Sequence, residues 1–269
     1  MTDVAERRKR AQEKGGGLGE TIRTVVYAVL IALVVRTFAV EPFNIPSGSM
    51  IPTLLVGDYL FVSKYSYGYS KHSFPFSLGF FSGRILSGMP ERGDVVVFKY
   101  PGDQGQGVNR TDYIKRIVGL PGDTIQVIDG ILQINGKPVQ RVKVGDYVQG
   151  GGGAYRTGTL YTEVLPNGRR HEIVETTDNG QSDNTPKFQV PPGHFFMMGD
   201  NRDDSLDSRT ALVFSNGPAP QLGWYVPAEN LVGRAEFIFF SHDPSAAGWF
   251  EPWKWPQAIR FSRFFQAIH

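Results

Sequence analysis

Residues 124–142 read TIQVIDGILQINGKPVQRV, and this stretch decides the fold class. Asp129-Gly130 and Asn135-Gly136 are dipeptides that supply the positive φ angles of tight primed turns. The segments they separate, Thr124 to Asp129, Ile131 to Ile134 and Lys137 to Val142, are short and carry β-branched residues, so the stretch predicts two consecutive hairpins, an antiparallel meander. The same grammar extends outward. Asp58 to Tyr65 (DYLFVSKY) and Gly93 to Tyr100 (GDVVVFKY) each open on a Gly/Asp turn and continue with β-branched and aromatic residues. Tyr161 to Thr176 predicts two weaker strands around Asn167-Gly168, Gly150 to Gly153 reads as a flexible loop, and Phe188 to Pro192 leads into a new segment. Phe195 to Met198 and Leu231 to Phe240 are apolar enough for buried strands. Between residues 41 and 240 there is no internal repeat and no helical periodicity of useful length.

The N-terminus is written differently. From Ile22 to Val40 the chain is mostly apolar, with an uninterrupted run from Thr24 to Val35 between Arg23 and Arg36. At about 1.5 Å per residue these positions reach roughly 28 Å, close to the hydrocarbon thickness of a bilayer. Both arginines stand near enough to the ends to snorkel. Arg7, Arg8, Lys9, Arg10, Lys14 and Arg23 precede or open the run, whereas the stretch just after Val40 holds only Glu41 and Asp58 as charges. That bias predicts a single-pass anchor with its N-terminus in the cytoplasm and everything beyond Val40 outside. A cleaved secretory signal would also start basic, but Thr37-Phe38-Ala39 is a poor small-x-small site and Arg36 breaks the run. A buried core helix is the other alternative, and the basic arm leading in argues against it.

The 269 residues, 41% apolar, can bury a sizeable core, and one large domain with an insertion fits their length best. A net charge of +2 with scattered basic residues gives no reason to expect nucleic acid. The absence of Cys excludes thiol nucleophiles, disulfides and thiolate metal sites.

Three clusters could carry chemistry. The first is Pro46-Ser47-Gly48-Ser49-Met50, close behind the anchor, whose bland reading is a turn. In the second, Asp112 to Val118, strand alternation puts Tyr113, Lys115 and Ile117 on one face and Ile114, Arg116 and Val118 on the other. Lys115 then points among apolar neighbours, although a strand lysine usually snorkels or guards an edge. The third is the polar run Gly199 to Arg209, otherwise a solvated turn. Were Ser49 a nucleophile it would need a base, and none of His72, His171, His194, His242 and His269 sits in a motif that makes a triad or a zinc site. Lysine remains, provided it is desolvated. Lowering its pKa from about 10.4 to about 8 costs roughly 3 kcal/mol, a reasonable demand on an apolar wall.

These segments together, Glu41 to Met50 with Pro52-Thr53-Leu54, Arg92 to Phe98, Asp112 to Arg116 with Gly119 to Asp123, and Gly199 to Arg209, resemble the bacterial type I signal peptidases in order and spacing. The resemblance covers most of residues 41–123 and 195–240 and is specific, because every sequence box of the family is present. It implies a Ser/Lys dyad with Ser49 as acylating nucleophile and Lys115 as general base. Ser47 and the Ser49 N–H would serve the oxyanion, Ser205 would orient the lysine, and Asp207 and Arg209 would form a structural ion pair. Phe43, Ile45, Pro46, Met50, Leu54, Tyr113 and Ile114 would line shallow pockets for small residues at −1 and −3 of the substrate. Two departures stand out: one membrane span where the best-studied members have two, and Asp203-Asp204 where many relatives have Asp-Asn.

The expected architecture is mainly β: a cytoplasmic basic arm (1–21), a transmembrane helix (22–40), and an antiparallel, coiled-sheet β catalytic domain (41–123 and 195–243). A β-ribbon domain (124–194) is inserted, and an aromatic and basic segment (244–269) follows. In that last segment Phe261, Phe264, Phe265 and Ile268 fall at helical spacing behind Trp249, Trp253 and Trp255, which suits an interfacial helix or a helix packed on the protein's own core. The expected partners are exported pre-proteins and the lipid bilayer of the bacterial plasma (inner) membrane, with the catalytic domain on the periplasmic side. No cofactor, metal, nucleic acid or obligate protein partner is expected. The rivals are a tethered β-domain without chemistry, a self-cleaving Ser/Lys repressor-type protease, which would need a scissile loop and a DNA-binding head, and a specialised peptidase of restricted range.

Overall fold

The computed structural model describes residues 17–70, 83–85, 88–103, 111–151, 154–177, 179–212, 221–247 and 251–269. The basic arm as far as residue 16, His72, Gly152-Gly153 and Trp249 lie outside the described residues. The fold is mainly β, built from antiparallel sheets behind one apolar N-terminal helix. The strands are β1 (Val40–Asn44), β2 (Asp58–Ser63), β3 (Val95–Lys99), β4 (Asp112–Gly119), β5 (Thr124–Ile128), β6 (Ile131–Ile134), β7 (Lys137–Pro138) and β8 (Gln140–Gly151). They continue as β9 (Ala154–Val164), β10 (Arg170–Glu175), β11 (Phe188–Gln189), β12 (His194–Met198), β13 (Ala211–Leu212), β14 (Gln221–Leu222), β15 (Val226–Pro227) and β16 (Leu231–Ser241).

The meander forms as its turn residues dictate. Asp129 and Gly130 have φ of 48° and 72°, Asn135 and Gly136 of 53° and 73°. β5 pairs with β6 and β6 with β7, and β11 closes the far edge. The third strand is shorter than the expected Lys137 to Val142. Pro138 has no N–H to give to a ladder, Val139 turns into the core, and the chain enters β8 in a different sheet. There β8, β9 and β10 form a three-stranded sheet in the order β10-β9-β8. Gly150 and Gly151, expected in a loop, instead pair across the hairpin with Tyr155 and Ala154.

The largest sheet has the order β1-β2-β16-β3-β4-β12-β15, so β4 and β12 are neighbours although β5 to β11 lie between them in sequence. Val95-Val96-Val97-Phe98 is apolar at every position because both faces of β3 are covered. Val95 and Val97 join Ile45, Met50, Leu54, Leu60 and Val62 on one side, while Val96 and Phe98 join Ile117, Met197, Trp224 and Leu231 on the other. A third cluster, with Val118, Ile125, Leu132, Phe188, Phe196 and Met198, seats the meander against the large sheet.

The N-terminal helix spans Gly17–Phe38, two residues short of the expected end. Val40 already pairs with Ser63, and Pro42 tolerates its place in β1 because that strand is the sheet edge. Residues 19–38 have mean hydropathy 1.8 and are only 6% buried, so the helix is long and apolar enough, by length and composition, to cross a bilayer. Its exit is tied to the sheet: Glu41 accepts from Arg36 at 2.9 Å and pairs with the buried Lys64 at 2.9 Å. Tyr69 Oη donates to the Phe38 carbonyl at 2.6 Å.

The helix expected from the spacing of Phe261, Phe264, Phe265 and Ile268 is not formed. Only Trp255–Ala258 is α-helical, with 3-10 turns at Pro252–Lys254 and Phe261–Arg263. Phe265 then takes φ of 59°, and residues 265–268 lie alongside β16. The Phe265 N–H donates to Ile238 O at 2.7 Å and the Ile268 N–H to Glu236 O at 2.9 Å. The backbone of this segment finds its partners in a neighbouring strand, which is incompatible with an intrahelical ladder.

Candidate active site

Ser49 stands in the turn that links β1 to β2. Ile45 N–H bonds to Asp58 O and Gly57 N–H to Ile45 O, which draws the loop's two ends together. Ile51 N–H to Gly48 O and Leu54 N–H to Met50 O tighten it further. Met50 and Leu54, fully buried, pin the turn to the core, so the Ser49 side chain is held between the turn and β4.

β4 brings Lys115 to meet it. Its register, Val96 opposite Lys115, sets the lysine in the strand's interior, on the face that Tyr113 and Ile117 make apolar. Lys115 is 3% exposed, and its Nζ lies 2.6 Å from Ser49 Oγ and donates to Ile114 O at 3.0 Å. Burial lowers its pKa from 10.5 to about 8; the negative charges of Asp207 and Asp200 oppose the fall and Arg209 assists it. An alcohol in contact with a dry amine that sheds its proton near pH 8 can be deprotonated in place, which is what a serine nucleophile needs. Among the described residues no histidine hydrogen-bonds Ser49. His194 Nδ1 bonds instead to Pro192 O, and His171 is buried with its pKa lowered, first by that burial and then by Arg116.

The polar run after β12 closes over this pair. Gly199 passes so near that a Cβ there would meet Ser49 O at 2.5 Å and collide with the Ser205 hydroxyl, so only glycine admits the approach. The Asn201 N–H donates to Ser49 O at 3.1 Å and its Nδ2 to Gly48 O at 3.0 Å. Arg209 grips Asp207 with two bonds, 2.9 and 2.8 Å, and Asp207 also accepts the Gly199 N–H at 2.9 Å. The Asp207 carboxyl is held below its usual range: burial would raise it, but the Arg209 guanidinium prevails. Ser205 has a buried hydroxyl beside Gly199, and no hydrogen bond joins it to Lys115.

Beneath the loop run two buried ion pairs. Arg116 holds Asp200 with bonds of 2.8 and 2.7 Å, and Thr53 Oγ1 donates to the same carboxylate at 2.5 Å. Arg202 is clasped by Glu163 of β9, with His171 Nε2 of β10 at 3.3 Å from that carboxylate. Val174 N–H to Asp200 O and Arg202 N–H to Val174 O stitch β10 to the loop. Sequence reasoning had no means to single out Glu163 or His171, which lie in weak strands with no motif. Asn201 and Asp200 sat inside the quoted polar run, and Arg116 beside Lys115, but nothing in the chain says which residues meet.

The cleft in front of Ser49 has a volume of about 890 Å³ and is lined by Pro46 to Ser49, Thr111 to Lys115, and residues of the 176–182 and 202–210 segments. Pro46 and Ser47 are exposed at its mouth, and Tyr113 and Ile114 form part of its wall. Of the other expected pocket residues, Ile45, Met50 and Leu54 lie behind that lining in the core, packed with the half-buried Phe43 and Ile114. Tyr113 belongs to the opposite cluster and stacks on Tyr100 with ring centres 4.7 Å apart. Among the described residues no group of His, Asp or Glu is arranged to hold a metal ion.

The chain belongs to the signal peptidase family, peptidase S26, whose family model matches residues 18–240; it is a hydrolase of that class. Signal peptidase I of Rickettsia typhi (strain ATCC VR-144 / Wilmington) is 40% identical over 259 residues, covering 90% of this chain and 91% of its own length. Signal peptidase I of Rickettsia conorii (strain ATCC VR-613 / Malish 7) is 43% identical over 223 residues, covering 80% and 77%. That of Rickettsia canadensis (strain McKiel) is 39% identical over 263 residues, covering 92% of each.

Proposed function

We propose that the protein is a membrane-bound serine endopeptidase that removes N-terminal signal peptides from exported pre-proteins after small residues at −1 and −3. The observation that carries this reading is the 2.6 Å contact between Ser49 Oγ and a buried Lys115 Nζ with a pKa near 8. In the neutral state of Lys115 the Ser49 hydroxyl donates to the Nζ lone pair. As Oγ attacks the scissile carbonyl, its proton passes to Nζ. The Ser49 N–H and the Ser47 hydroxyl receive the developing oxyanion. The tetrahedral intermediate collapses when the ammonium of Lys115 protonates the departing amine, leaving an acyl-enzyme. Lys115, neutral again, takes a proton from the water that attacks the ester and returns it to Ser49 Oγ as that oxygen leaves, freeing the acid and restoring the enzyme.

Ser205 would orient the lysine through its buried hydroxyl, and the Asp207–Arg209 pair would keep the loop in shape. Phe43, Ile45, Met50 and Leu54 would limit pocket depth from behind while Pro46, Tyr113 and Ile114 touch the peptide. We read residues 41–123 and 195–243 as a catalytic unit with a coiled sheet, and 124–194 as an inserted unit that braces the 199–209 loop through Glu163 and Val174. The N-terminal helix supports a single-pass anchor in the bacterial plasma (inner) membrane. The N-terminus would be cytoplasmic and the cleft periplasmic, where a pre-protein held by its own apolar segment presents its cleavage site.

Cleavage of a fluorogenic peptide bearing Ala-x-Ala by the full chain in detergent tests the reading. Activity is expected to rise between about pH 7 and 9 and to vanish in Ser49→Ala; a turnover that Ser49→Ala preserves refutes it.

The segment 244–269 would touch the bilayer surface. Trp253, Phe261 and Phe265 are 70, 64 and 75% exposed, with the half-exposed Lys254 close by, the mixture that favours a lipid interface. A chain starting at residue 40 is expected to bind liposomes containing anionic lipid, and Trp253→Ser with Phe261→Ser to weaken that binding severalfold; unchanged binding removes the idea.

A further inference from the structure

Residues 260–269 make contacts that neither a surface tail nor a lipid-facing segment requires. Arg263 bonds the buried Asp58 carboxylate at 2.6 Å and the Thr53 carbonyl at 2.9 Å, and Arg260 bonds the Val56 carbonyl at 2.7 Å. Asp58 in turn accepts the Leu55 N–H at 2.8 Å and the Ser241 hydroxyl at 2.6 Å. Apart from Ser241 at the end of β16, the groups that these arginines and Asp58 bond, Thr53, Leu55, Val56 and Asp58 itself, belong to the half-turn that runs from Ser49 into β2. Further along, His269 O accepts from Arg116 Nη1 at 2.8 Å, the same guanidinium that holds Asp200 under the 199–209 loop. Between them Ile268 packs against the buried cluster that contains Met50 and Leu54 along with Val95, Val97 and Ile238, and Phe43 and Ile114 pack against the same cluster.

We propose that residues 263–269 form a strap across the back of the active site, in which Arg263 positions the nucleophile turn and Ile268 sets the depth of the pocket for the substrate's −1 side chain. The inference rests on the peptidase reading above and adds two residues to it that touch no substrate. Its physical basis is close packing. Met50 and Leu54 are fully buried, so the space in front of them is small only while the wall behind them stays put. Ile268 packs on the cluster that forms this wall, and its backbone is held to β16 by the Ile268 N–H to Glu236 O bond. Removing its side chain opens a void into which Met50 and Ile114 can move, and the pocket then accepts a larger residue. Arg263 works on the other coordinate: it ties Thr53 and Asp58 together, so its loss lets the Ser49 turn drift from Lys115.

The test compares peptides that differ only in Ala or Val at −1, cleaved by the full chain. The wild type is expected to prefer Ala, and in Ile268→Ala the ratio of the two kcat/KM values is expected to fall about tenfold, the scale of discrimination that a methylene or two supports in an apolar pocket. Ile268→Val, which leaves most of the wall, is expected to shift the ratio about threefold in the same direction. Arg263→Gln is expected to lower kcat about tenfold with KM nearly unchanged, and Arg263→Lys to restore part of it. A purely structural role would lower the melting temperature and slow both peptides equally. A wild type that discriminates while the Ile268 variants keep the same ratio overturns the strap alone. A wild type that cleaves neither peptide overturns the peptidase reading itself.

Discussion

Lys115→Met is expected to cut peptide hydrolysis by on the order of 10⁴-fold while leaving the protein at least as stable as the wild type near pH 7. The two halves of this expectation have one cause. Burial holds the Lys115 amine at a pKa of about 8 in the folded chain against 10.5 in water. The unfolded chain therefore binds the proton more tightly than the folded one. The sign follows: the charged lysine destabilises the fold below pH 8, and this penalty shrinks as pH rises from 8 to 10.5. At neutral pH it amounts to about 3 kcal/mol, less whatever the bonds to Ser49 and Ile114 return. Methionine fills a similar volume without charge. Urea denaturation should thus show the variant more stable at pH 7 and the advantage gone by about pH 10.5. In the wild type kcat/KM should climb with one-proton slope through about pH 8, as the base becomes neutral. An active Lys115→Met enzyme, or a wild-type profile flat from pH 6 to 10, would sink the dyad.

The second large effect concerns Arg116. Its guanidinium and the Asp200 carboxylate are each 1% exposed, and Thr53 completes the hydrogen bonding of the acid. Arg116→Met leaves Asp200 charged in a dry interior, which is expected to cost about 3–5 kcal/mol of stability. The Asp200 pKa, now held low by Arg116 against the effect of burial, should rise, so that the variant loses less at acid pH than at neutral pH. Removing the acid as well, in Arg116→Met with Asp200→Leu, should recover a good part of the loss, because the orphaned charge is the main source of it. Equal stability of the single and double variants in urea would contradict this account. Activity should fall in both, since Asp200 O and Asn201 belong to the loop that holds Ser49 O.

Much of the fold was legible from local chemistry. Asp129-Gly130 and Asn135-Gly136 can hardly do anything but turn a hairpin, and the β-branched and aromatic run from Gly93 to Tyr100 reads as a strand, though only packing decided that both its faces are covered. The C-terminal aromatics misled. Phe261, Phe264, Phe265 and Ile268 recur at helical spacing, yet the same spacing serves a 3-10 turn followed by an extended segment, and only the part of β16 that runs past its pairing with β3 decides between them. Val139 and Gly150-Gly151 failed similarly, since where a strand stops depends on which neighbour is beside it.

The candidate site divides along the same line. Ser49, Lys115 and the run from Gly199 to Arg209 could be picked out because together, in order and spacing, they resemble the boxes of a peptidase family; each alone reads as a turn or an ordinary strand residue. Glu163, His171 and Ile268 could not, because a buried acid in an ordinary strand or an isoleucine near a chain end carries no local mark.

By itself the sequence determined the local conformations and the inventory of reactive groups: φ preferences, strand alternation and hydrophobic length act within a few residues. Tertiary structure alone decided that an amine from β4 would stand 2.6 Å from a hydroxyl 66 positions earlier, and that it would be dry there. Proximity and desolvation are properties of packing between distant segments, and a lysine's proton responds to both.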